Sequence, residues 1–256
     1  MSKSSSIPTV VITGASAGIG AATARRFAKE NYRLVLIARR KDKLENLRKE
    51  LPNTEIAIFG LDVSSRSAVE NAFTQIEKEI GPIDLLINNA GGAFGLDRAQ
   101  EANLDEWEQC IDVNIKGLIY CTHTVLPHMV KRNRGHIINL GSVAGHYPYP
   151  GGNVYCGSKA FAHQFSLNLR ADLLGTHLRV SCIEPGLTGG TEFSTVRFRG
   201  DETKATRVYE KTEPLQPDDI AEVIYFCASA PPHVNINTIE LMPVAQAFSP
   251  LAVHRT

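Results

Sequence analysis

The chain has 256 residues, of which 43% are hydrophobic and 21% are charged, and this composition is typical of a globular protein rather than a disordered or collagen-like one. Its 27 Lys and Arg residues balance its 27 Asp and Glu residues, so the formal net charge is zero. We therefore expect no overall electrostatic attraction to nucleic acid or to an anionic membrane.

Short apolar runs alternate with amphipathic segments along the chain. Strands are predicted at residues 9–13, 33–38, 55–59, 83–88, 136–140, 178–184 and 236–242. Helices are predicted at residues 21–31, 41–51, 65–80, 104–130 (as one helix or two), 154–174 and 218–230. This alternation indicates right-handed βαβ units and a parallel sheet with helices on both faces. No linker-like stretch divides the chain, so we predict one α/β domain over residues 1–256, with a polar, irregular segment at 186–217.

The N-terminal segment MSKSSSIPTV lacks the apolar core of a secretory signal, and no run approaches the ~18 apolar residues of a membrane span. The five cysteines are widely spread and form no CxxC pair, and the eight histidines show no HExxH spacing. We therefore expect a cytoplasmic protein with no disulfide framework, no bound metal and no membrane or nucleic-acid partner.

A glycine-rich turn, TGASAGIG at residues 13–20, lies between the first strand and the first helix. Gly14, Gly18 and Gly20 would allow a tight turn and a close approach of the backbone to a pyrophosphate, which the positive end of the helix then attracts. The spacing is GxxxGxG rather than GxGxxG, and glycines in such a position are also common in turns without a ligand.

The end of the second strand distinguishes between cofactors. An NAD site places a carboxylate there to bind the ribose 2′-hydroxyl, whereas this chain has Ala38 followed by Arg39 and Arg40. Two guanidinium groups match the oxygens of a 2′-phosphate, so NADP is favoured over NAD. The alternative is a pair of solvated arginines that opens a basic helix.

The ends of the third and fourth strands also carry polar residues, at the edge of an open sheet where ligands bind. Asp62 and Val63 follow the third strand and would contact an adenine, unless Asp62 only caps the next helix together with Ser64. The run NNAG at residues 88–91 follows the fourth strand and would otherwise be a simple turn.

A serine, a tyrosine and a lysine follow the fifth strand in an order that suits proton transfer. Ser142 ends that strand, and Tyr155 and Lys159 lie four residues apart on the next helix, so both face the same way. At ~4 Å and an effective dielectric constant near 20, an ammonium attracts a phenolate by about 4 kcal/mol, which would lower the tyrosine pKa. Ser142 would hold the substrate oxygen against Tyr155, and Asn114 would bind a water between Lys159 and solvent. A Tyr–Lys pair at this spacing is by itself usually structural.

Taken together, the glycine turn, NNAG, the NxxG at Asn114, Gly141-Ser142, YxxxK and Pro185-Gly186 resemble the short-chain dehydrogenase/reductase family over essentially the whole chain. The resemblance implies a Rossmann fold of strand order 3-2-1-4-5-6-7 and hydride transfer to or from a nicotinamide. It also implies a catalytic tetrad of Asn114, Ser142, Tyr155 and Lys159, with Tyr155 as the acid/base.

Longer segments, such as YPGGNVYCGSKAFAHQFSLNLRADL and IEPGLTGGTEFSTVRFRGD, resemble a group within that family, the NADP-dependent 3-hydroxy acid dehydrogenases. This implies oxidation of serine, L-allo-threonine and related 3-hydroxy acids, or reduction of 3-oxo acids and semialdehydes, by a homotetramer. The chain departs from the family at Ala17, where many NADP-using members have a basic residue, and at Gly190, where a threonine is usual. We favour Thr191 over Thr188 as the replacement.

Two sets of residues are therefore predicted to bind small molecules. The NADP site is predicted to consist of Gly14, Ser16, Gly18, Ile19, Gly20, Arg39, Arg40, Asp62, Val63, Asn89, Ala90, Gly91, Tyr155, Lys159, Pro185, Gly186, Thr188 and Thr191. The substrate site is predicted to consist of Ser142, Tyr155 and Arg197, where Arg197 would bind the substrate carboxylate from a lid at about 186–217.

Several alternatives remain open at this point. The lid arginines are also explained as solvated loop charge, and His146, Tyr147 and Tyr149 would either line the pocket or pack beside it. The tail at about 243–256 would reach a neighbouring subunit of a tetramer. The same motifs would serve a carbonyl or 3-ketoacyl reductase or, if catalysis were lost, an NADP-binding regulator.

Overall fold

Seven parallel strands form one sheet in the computed structural model, which describes residues 7–248. The strands are β1 (Thr9–Thr13), β2 (Arg33–Ala38), β3 (Ile56–Gly60), β4 (Ile83–Asn88), β5 (Gly135–Leu140), β6 (Leu178–Pro185) and β7 (Thr238–Leu241). Their order is β3-β2-β1-β4-β5-β6-β7, and every neighbouring pair is parallel. The predicted single-domain Rossmann fold and its strand order are confirmed.

Helices cover both faces of this sheet. Within residues 7–248 they are α1 (Gly18–Ala28), α2 (Lys41–Glu50), α3 (Arg66–Glu79), α4 (Leu104–Ile111), α5 (Leu118–Arg132), α6 (Asn153–Asp172), α7 (Phe193–Arg197), α8 (Glu202–Arg207) and α9 (Pro217–Ser229). None of these described helices has both the length and the apolarity needed to cross a bilayer.

All five cysteines are free, and only Cys156 is partly exposed.

The β-branched strands bury side chains on both sides because each face of the sheet carries a helix layer. On one face Ile12 packs in a cluster with residues of α1, α2 and α9, for example Leu44 and Ile224. On the other face Val11 packs with residues of α3, α5 and α6, for example Phe73 and Met129. Two cores therefore fix the strand ends that carry the polar motifs.

The segment at 104–130, predicted as one helix or two, forms two helices, and the sequence pattern did not indicate where the first one ends. A π-helical turn at Asp112–Gly117 separates α4 from α5. Asn114 lies in this turn, and its side chain bonds both the amide and the carbonyl of Gly92 in the loop after β4. π-Turns of this kind occur frequently at functional sites, where they redirect a side chain out of the regular helical ladder.

The segment at 186–217 is not wholly irregular, and this corrects the prediction. It contains α7 and α8. The side chain of Asp201 caps α8 by accepting a hydrogen bond from Lys204 N at 3.0 Å, and Thr191 Oγ1, just before α7, accepts one from Phe193 N at 3.2 Å. Strand β7 is also shorter than predicted. The side chain of Asn235 bonds the backbone N–H and carbonyl of Val180, so it replaces the strand pairing at that end.

Candidate active site

The glycine turn after β1 forms an open anion-binding end of α1. Gly14 and Gly18 have φ values of +66° and +52°, which favour glycine. No side chain caps the helix at Ala17, and no acidic residue lies in its first turn. The free N–H groups and the helix dipole can therefore act on an anion.

Gly20 is packed tightly against the loop after β4. A Cβ at Gly20 would lie 2.6 Å from Asn89 Nδ2 and would also overlap the carbonyl of Gly14. Asn89 in turn donates to the carbonyls of Thr13 and Gly14 at 2.9 and 3.2 Å. Gly20 thus lets α1 approach the loop after β4, and the predicted direct contact of Gly20 with the cofactor is not seen in the cavity lining.

Three cations lie where β2 ends, one more than the sequence indicated. Arg40 donates from Nη1 and Nη2 to the Glu192 carboxylate at 3.0 and 2.6 Å, and its Nη2 also donates to Ser16 Oγ at 3.1 Å. Lys43 Nζ donates to Glu192 at 2.8 Å. The hydrogen bonds from Arg40 and Lys43 lower the pKa of Glu192 to about 2. The side chain of Arg39 is mostly exposed and forms no ion pair with Glu192.

Asp62, just after β3, lines the cavity and also holds the start of the segment that leads to α3. Its Oδ1 accepts hydrogen bonds from the backbone N–H and the hydroxyl of Ser64 at 2.9 and 2.7 Å, while Oδ2 lies 3.9 Å from Arg39 Nη1. The side chain that caps α3 is Ser65, not Ser64. Asp62 and Val63 nevertheless line the cavity described below.

Ser142 lies at the end of β5 and begins a short 3₁₀ turn at Val143–Gly145. Its hydroxyl accepts a hydrogen bond from Ala144 N at 3.1 Å and donates one to the Pro185 carbonyl at 3.3 Å. These two bonds tie the ends of β5 and β6 together and hold the hydroxyl at the cavity wall.

Tyr155 and Lys159 lie on one face of α6 and line the same cavity. Burial raises the pKa of the Tyr155 hydroxyl, and Tyr149 raises it further, whereas Ser142 and Arg197 lower it. Lys159 Nζ donates to the Leu140 carbonyl at 2.8 Å and lies 5.9 Å from the Tyr155 ring centroid. Burial lowers the pKa of Lys159 itself. In this structure desolvation outweighs the expected effect of Lys159 on Tyr155, because the ammonium points to a carbonyl.

Asn114 is hydrogen-bonded to residues that lie next to the cavity. Its amide donates to Gly92 O and Ser158 Oγ, both at 2.9 Å, and the Ser158 hydroxyl donates to the Tyr155 carbonyl at 2.7 Å. A Cβ at Gly91 would lie 3.0 Å from Asn114 Oδ1 and 3.7 Å from Lys159 Nζ. Asn114 is therefore next to Lys159 but does not itself line the cavity.

Arg197 on α7 points its guanidinium toward the catalytic tyrosine candidate. Its carbon Cζ lies 5.0 Å from the ring centroid of Tyr149, 5.5 Å from that of Tyr155 and 5.9 Å from that of Phe193. Two of its nitrogens, Nε and Nη2, are buried and have no hydrogen-bond partner among residues 7–248. Arg197 is half-buried, and donors that are shielded from water without a partner carry a cost that an anion would relieve.

The segment that carries Arg197 is held beside the cavity by contacts with the loop after β4 and with α4. Arg199 forms a two-pronged ion pair with Glu106, at 2.6 and 2.8 Å, and a further ion pair with Asp97. The Arg197 carbonyl accepts a hydrogen bond from Gly95 N at 3.1 Å. These contacts fix the position of Arg197 above Tyr155.

One cavity of about 540 Å³ joins these regions. Of the predicted site residues, it brings together Gly14, Ser16, Gly18, Ile19, Arg39, Arg40, Asp62, Val63, Asn89, Ala90, Gly91, Ser142, Tyr155, Lys159, Pro185, Gly186, Thr188, Thr191 and Arg197. The carboxyl ends of parallel strands converge there, at the point where the strand order reverses between β1 and β4.

The two threonines contact different parts of the cavity. A Cβ at Gly18 would lie 3.2 Å from Thr191 Cγ2, which places Thr191 against the glycine turn. Thr188 Oγ1 donates to the Gly186 carbonyl at 3.0 Å, beside the end of β6. Both threonines line the cavity, so the preference for Thr191 over Thr188 as the partner of a nicotinamide carboxamide stays a prediction.

The sequence interpretation missed Lys43 and Glu192 as parts of the site, and it left open whether Tyr149 lines the pocket. Lys43 lies one turn after Arg40 in α2, so helical spacing was the available signal. Tyr149 lines the cavity, whereas Tyr147 bonds Glu240 outside it. No local spacing indicated the pairing of Glu192 with Arg40, because 152 residues separate them.

Comparison with known proteins agrees with this geometry. Residues 8–201 match the family model described as short chain dehydrogenase. The chain is 53% identical, over 96% of its length and 99% of the relative, to an NADP-dependent 3-hydroxy acid dehydrogenase of Salmonella typhi. It is 46% identical, over 96% of its length and 98% of the relative, to serine 3-dehydrogenase of Agrobacterium fabrum.

The structural comparison gives the same relatives. A closed form of a serine dehydrogenase in complex with NADP⁺ superimposes with a TM-score of 0.93 at 51% identity, covering 97% of this chain and 100% of the other.

Proposed function

The chain belongs to the short-chain dehydrogenase family, and on that premise we propose that it is an NADP-dependent oxidoreductase that interconverts 3-hydroxy acids and 3-oxo acids or semialdehydes. Serine and L-allo-threonine are the substrates proposed for oxidation, by analogy with relatives such as the serine 3-dehydrogenase. The observation that carries the substrate class is the half-buried guanidinium of Arg197 with two unpaired nitrogens.

Charge explains why such a site would select an acid. Arg197 lines the cavity, so a carboxylate bound there would pair with its charge and, once the side chain turns to expose Nε and Nη2, would accept hydrogen bonds from these two shielded donors. A neutral ketone would leave the half-buried guanidinium without a partner, at a cost of about 1–3 kcal/mol or more. Arg197 Cζ lies 5.5 Å from the centroid of the Tyr155 ring. A small acid whose carboxylate binds Arg197 would therefore present its hydroxyl-bearing carbon to Tyr155.

The cavity fits NADP. An uncapped helix N-terminus would hold the pyrophosphate, and Arg39, Arg40 and Lys43 would hold the 2′-phosphate. The chain lacks a carboxylate at the end of β2 that would repel this phosphate. Lys43 also compensates for Ala17, where many NADP-using members of the family carry a basic residue. When bound, NADP supplies the hydride acceptor or donor.

The residues of the tetrad would divide the proton chemistry among them. Tyr155 would donate a proton to the carbonyl oxygen during reduction and remove it from the hydroxyl during oxidation. Its raised pKa keeps it protonated near neutral pH, which suits the acid role. Ser142 would orient the substrate oxygen, Lys159 would bind the nicotinamide ribose, and Asn114 would support the proton relay through a water between Lys159 and solvent.

A substrate panel with both cofactors tests this proposal. Serine, L-allo-threonine and other 3-hydroxy acids should reduce NADP⁺, which is followed as NADPH absorbance, and NAD⁺ should support much slower turnover. Matched neutral alcohols should react poorly. Fast reduction of neutral ketones or of 3-ketoacyl thioesters without turnover of any 3-hydroxy acid would instead indicate a carbonyl or ketoacyl reductase. Binding of NADP without any turnover would indicate a regulator.

The oligomeric state and the lid over the substrate site are part of the same proposal. We propose a homotetramer, which size-exclusion chromatography with light scattering would measure, and a lid at about 186–217 that closes on the substrate. The part of the predicted tail beyond residue 248 lies outside the described residues. A cytoplasmic location likewise stays a prediction.

A further inference from the structure

Three potential metal ligands meet beside the active site, although no sequence spacing connects them. His146 follows the 3₁₀ turn at Val143–Gly145, His163 lies on α6, and Glu184 lies in β6. None of the three lines the cavity of about 540 Å³, so they form a separate cluster.

The geometry of this cluster is close to that of a coordination site. His146 Nε2 lies 3.0 Å from Glu184 Oε2, and His163 Nδ1 lies 2.8 Å from Glu184 Oε1. The donor atoms all lie within 4.8 Å of one another. Two ligands bound at 2.0–2.2 Å to a tetrahedral ion lie roughly 3.4 Å apart. Only modest movement of the two imidazoles is therefore needed to place all three donors around one ion.

The charge of the cluster calls for a cation. The Glu184 side chain is 1% exposed, and its ion-pair partners among residues 7–248 are the two histidines, with no lysine or arginine. A buried carboxylate normally has a compensating charge. A divalent ion would supply it, and neutral imidazoles are the form in which histidine binds metal.

Solvent can reach one side of the site. The side chains of His146 and His163 are 31% and 22% exposed, so an ion can enter and keep a water molecule as its remaining ligand. Two imidazoles and one carboxylate form a donor set that suits Zn²⁺ and related transition metals rather than Mg²⁺ or Ca²⁺, which prefer oxygen ligands.

We propose that His146, His163 and Glu184 bind one divalent transition-metal ion of the Zn²⁺ class, outside the catalytic cavity. The ion would link the turn after β5, the middle of α6 and the end of β6. Each of these carries a candidate catalytic contact: Ser142 precedes the turn, Lys159 lies one helical turn before His163, and the Pro185 carbonyl accepts the Ser142 hydrogen bond. The metal would thus brace the framework of the site and take no part in hydride or proton transfer.

Calorimetric titration of tag-free, chelator-treated protein with ZnCl₂ and CoCl₂ tests the proposal. Wild type should bind about one ion per chain, and Co²⁺ should give a visible absorption band. His163→Gln and His146→Asn should each weaken binding more than about 100-fold, since even outer contacts of a metal site typically contribute 10–100-fold. His128→Gln is the matched control, because His128 pairs with Glu77 but has no second histidine beside it, and it should bind like wild type.

A second readout separates metal binding from general effects on folding. Saturating Zn²⁺ should raise the Tm of wild type and of His128→Gln by about 5 °C or more, because a ligand that binds only the folded state stabilises it. The same addition should leave the Tm of His163→Gln unchanged, whatever the starting Tm of that variant. NADP binding shows that each variant is folded. Less than one ion per five chains in wild type, or equal affinity and equal Tm rise in His163→Gln, would overturn the proposal.

Discussion

The two halves of the cavity are built in different ways. The cofactor half consists of short segments at the ends of β1, β2, β3 and β4, each fixed by a strand that pairs within the parallel sheet. The substrate half consists of the 3₁₀ turn after β5 and the segment that carries α7, which is held to the loop after β4 by Arg199. The first half is part of the framework, whereas the second is held by contacts between loops. We therefore expect substitutions in the two halves to have separable effects on cofactor and substrate.

Tyr155 lies where the two halves meet, so its substitution has the largest expected effect. Tyr155→Phe removes the hydroxyl that would move the proton, and kcat should fall by about 10²–10⁴-fold with little change in the Kd of NADP. Because burial raises the pKa of Tyr155 above its usual value, the acid form persists through the neutral range, and the rate of wild-type reduction should be independent of pH between about 6 and 8. Stopped-flow kinetics and cofactor titration measure these changes.

Tyr147→Phe is the matched control for this substitution. Its hydroxyl bonds Glu240 outside the cavity, so activity should stay within about 2-fold of wild type. Turnover by Tyr155→Phe at the wild-type rate would remove Tyr155 from the mechanism.

The arginines at the end of β2 test the independence of the cofactor half. Arg39→Ala combined with Arg40→Ala should reduce kcat/KM for NADP⁺ by about 100-fold or more, since each charge-assisted hydrogen bond contributes about 1.5–3 kcal/mol. The value for NAD⁺ and the order of substrate preference should stay the same. The control is Arg48→Ala on α2, because Arg48 pairs with Glu45 on the protein surface, away from the cavity. An unchanged ratio of NADP⁺ to NAD⁺ use would contradict the assignment of the 2′-phosphate site.

Most residues of the cofactor half could be placed from the sequence because they follow strands closely, whereas Lys43 and its distant partner Glu192 were missed. Gly14, Arg40 and Asp62 each lie within a few residues of a strand end, so the strand pattern alone places them at one edge of the sheet. The substrate half depends on contacts between distant segments, such as Arg199 with Asp97, 102 residues apart. Local patterns do not encode such contacts, and the helices of the lid and the His146–Glu184–His163 cluster were missed for the same reason.

Arg199 tests the independence of the substrate half. Arg199→Ala removes ion pairs to Asp97 and Glu106 that are partly solvent-exposed, so the cost is modest, and the KM of the hydroxy acid should rise about 3–10-fold. The Kd of NADP should stay within about 2-fold of wild type. Arg66→Ala, which breaks an exposed pair with Glu70, controls for loss of a surface charge. A change in the Kd of NADP as large as the change in KM would show that the halves are coupled.

Glu192 is the residue that connects the two halves, and its expected effect is the smallest. Glu192→Gln frees Arg40 and Lys43 from a competing carboxylate, so NADP should bind about 2–5-fold more tightly. The pKa of Glu192 is lowered to about 2, so its ion pairs persist at neutral pH and weaken only as pH falls below about 4.5 toward 2. The ratio of wild-type to variant Kd should therefore be constant between about pH 6.5 and 8. Weaker binding of NADP by the variant would show that Glu192 supports the site instead.

The central claim is that the half-buried guanidinium of Arg197 selects substrates with a carboxylate. The direct measurement compares kcat/KM for a 3-hydroxy acid and for its neutral methyl ester in wild type, in Arg197→Leu and in Arg207→Leu, which removes an exposed arginine of the same lid. Arg197→Leu should lower the ratio of acid to ester about 100-fold, whereas Arg207→Leu should leave it unchanged. An acid-to-ester ratio in Arg197→Leu equal to that of wild type would contradict the account.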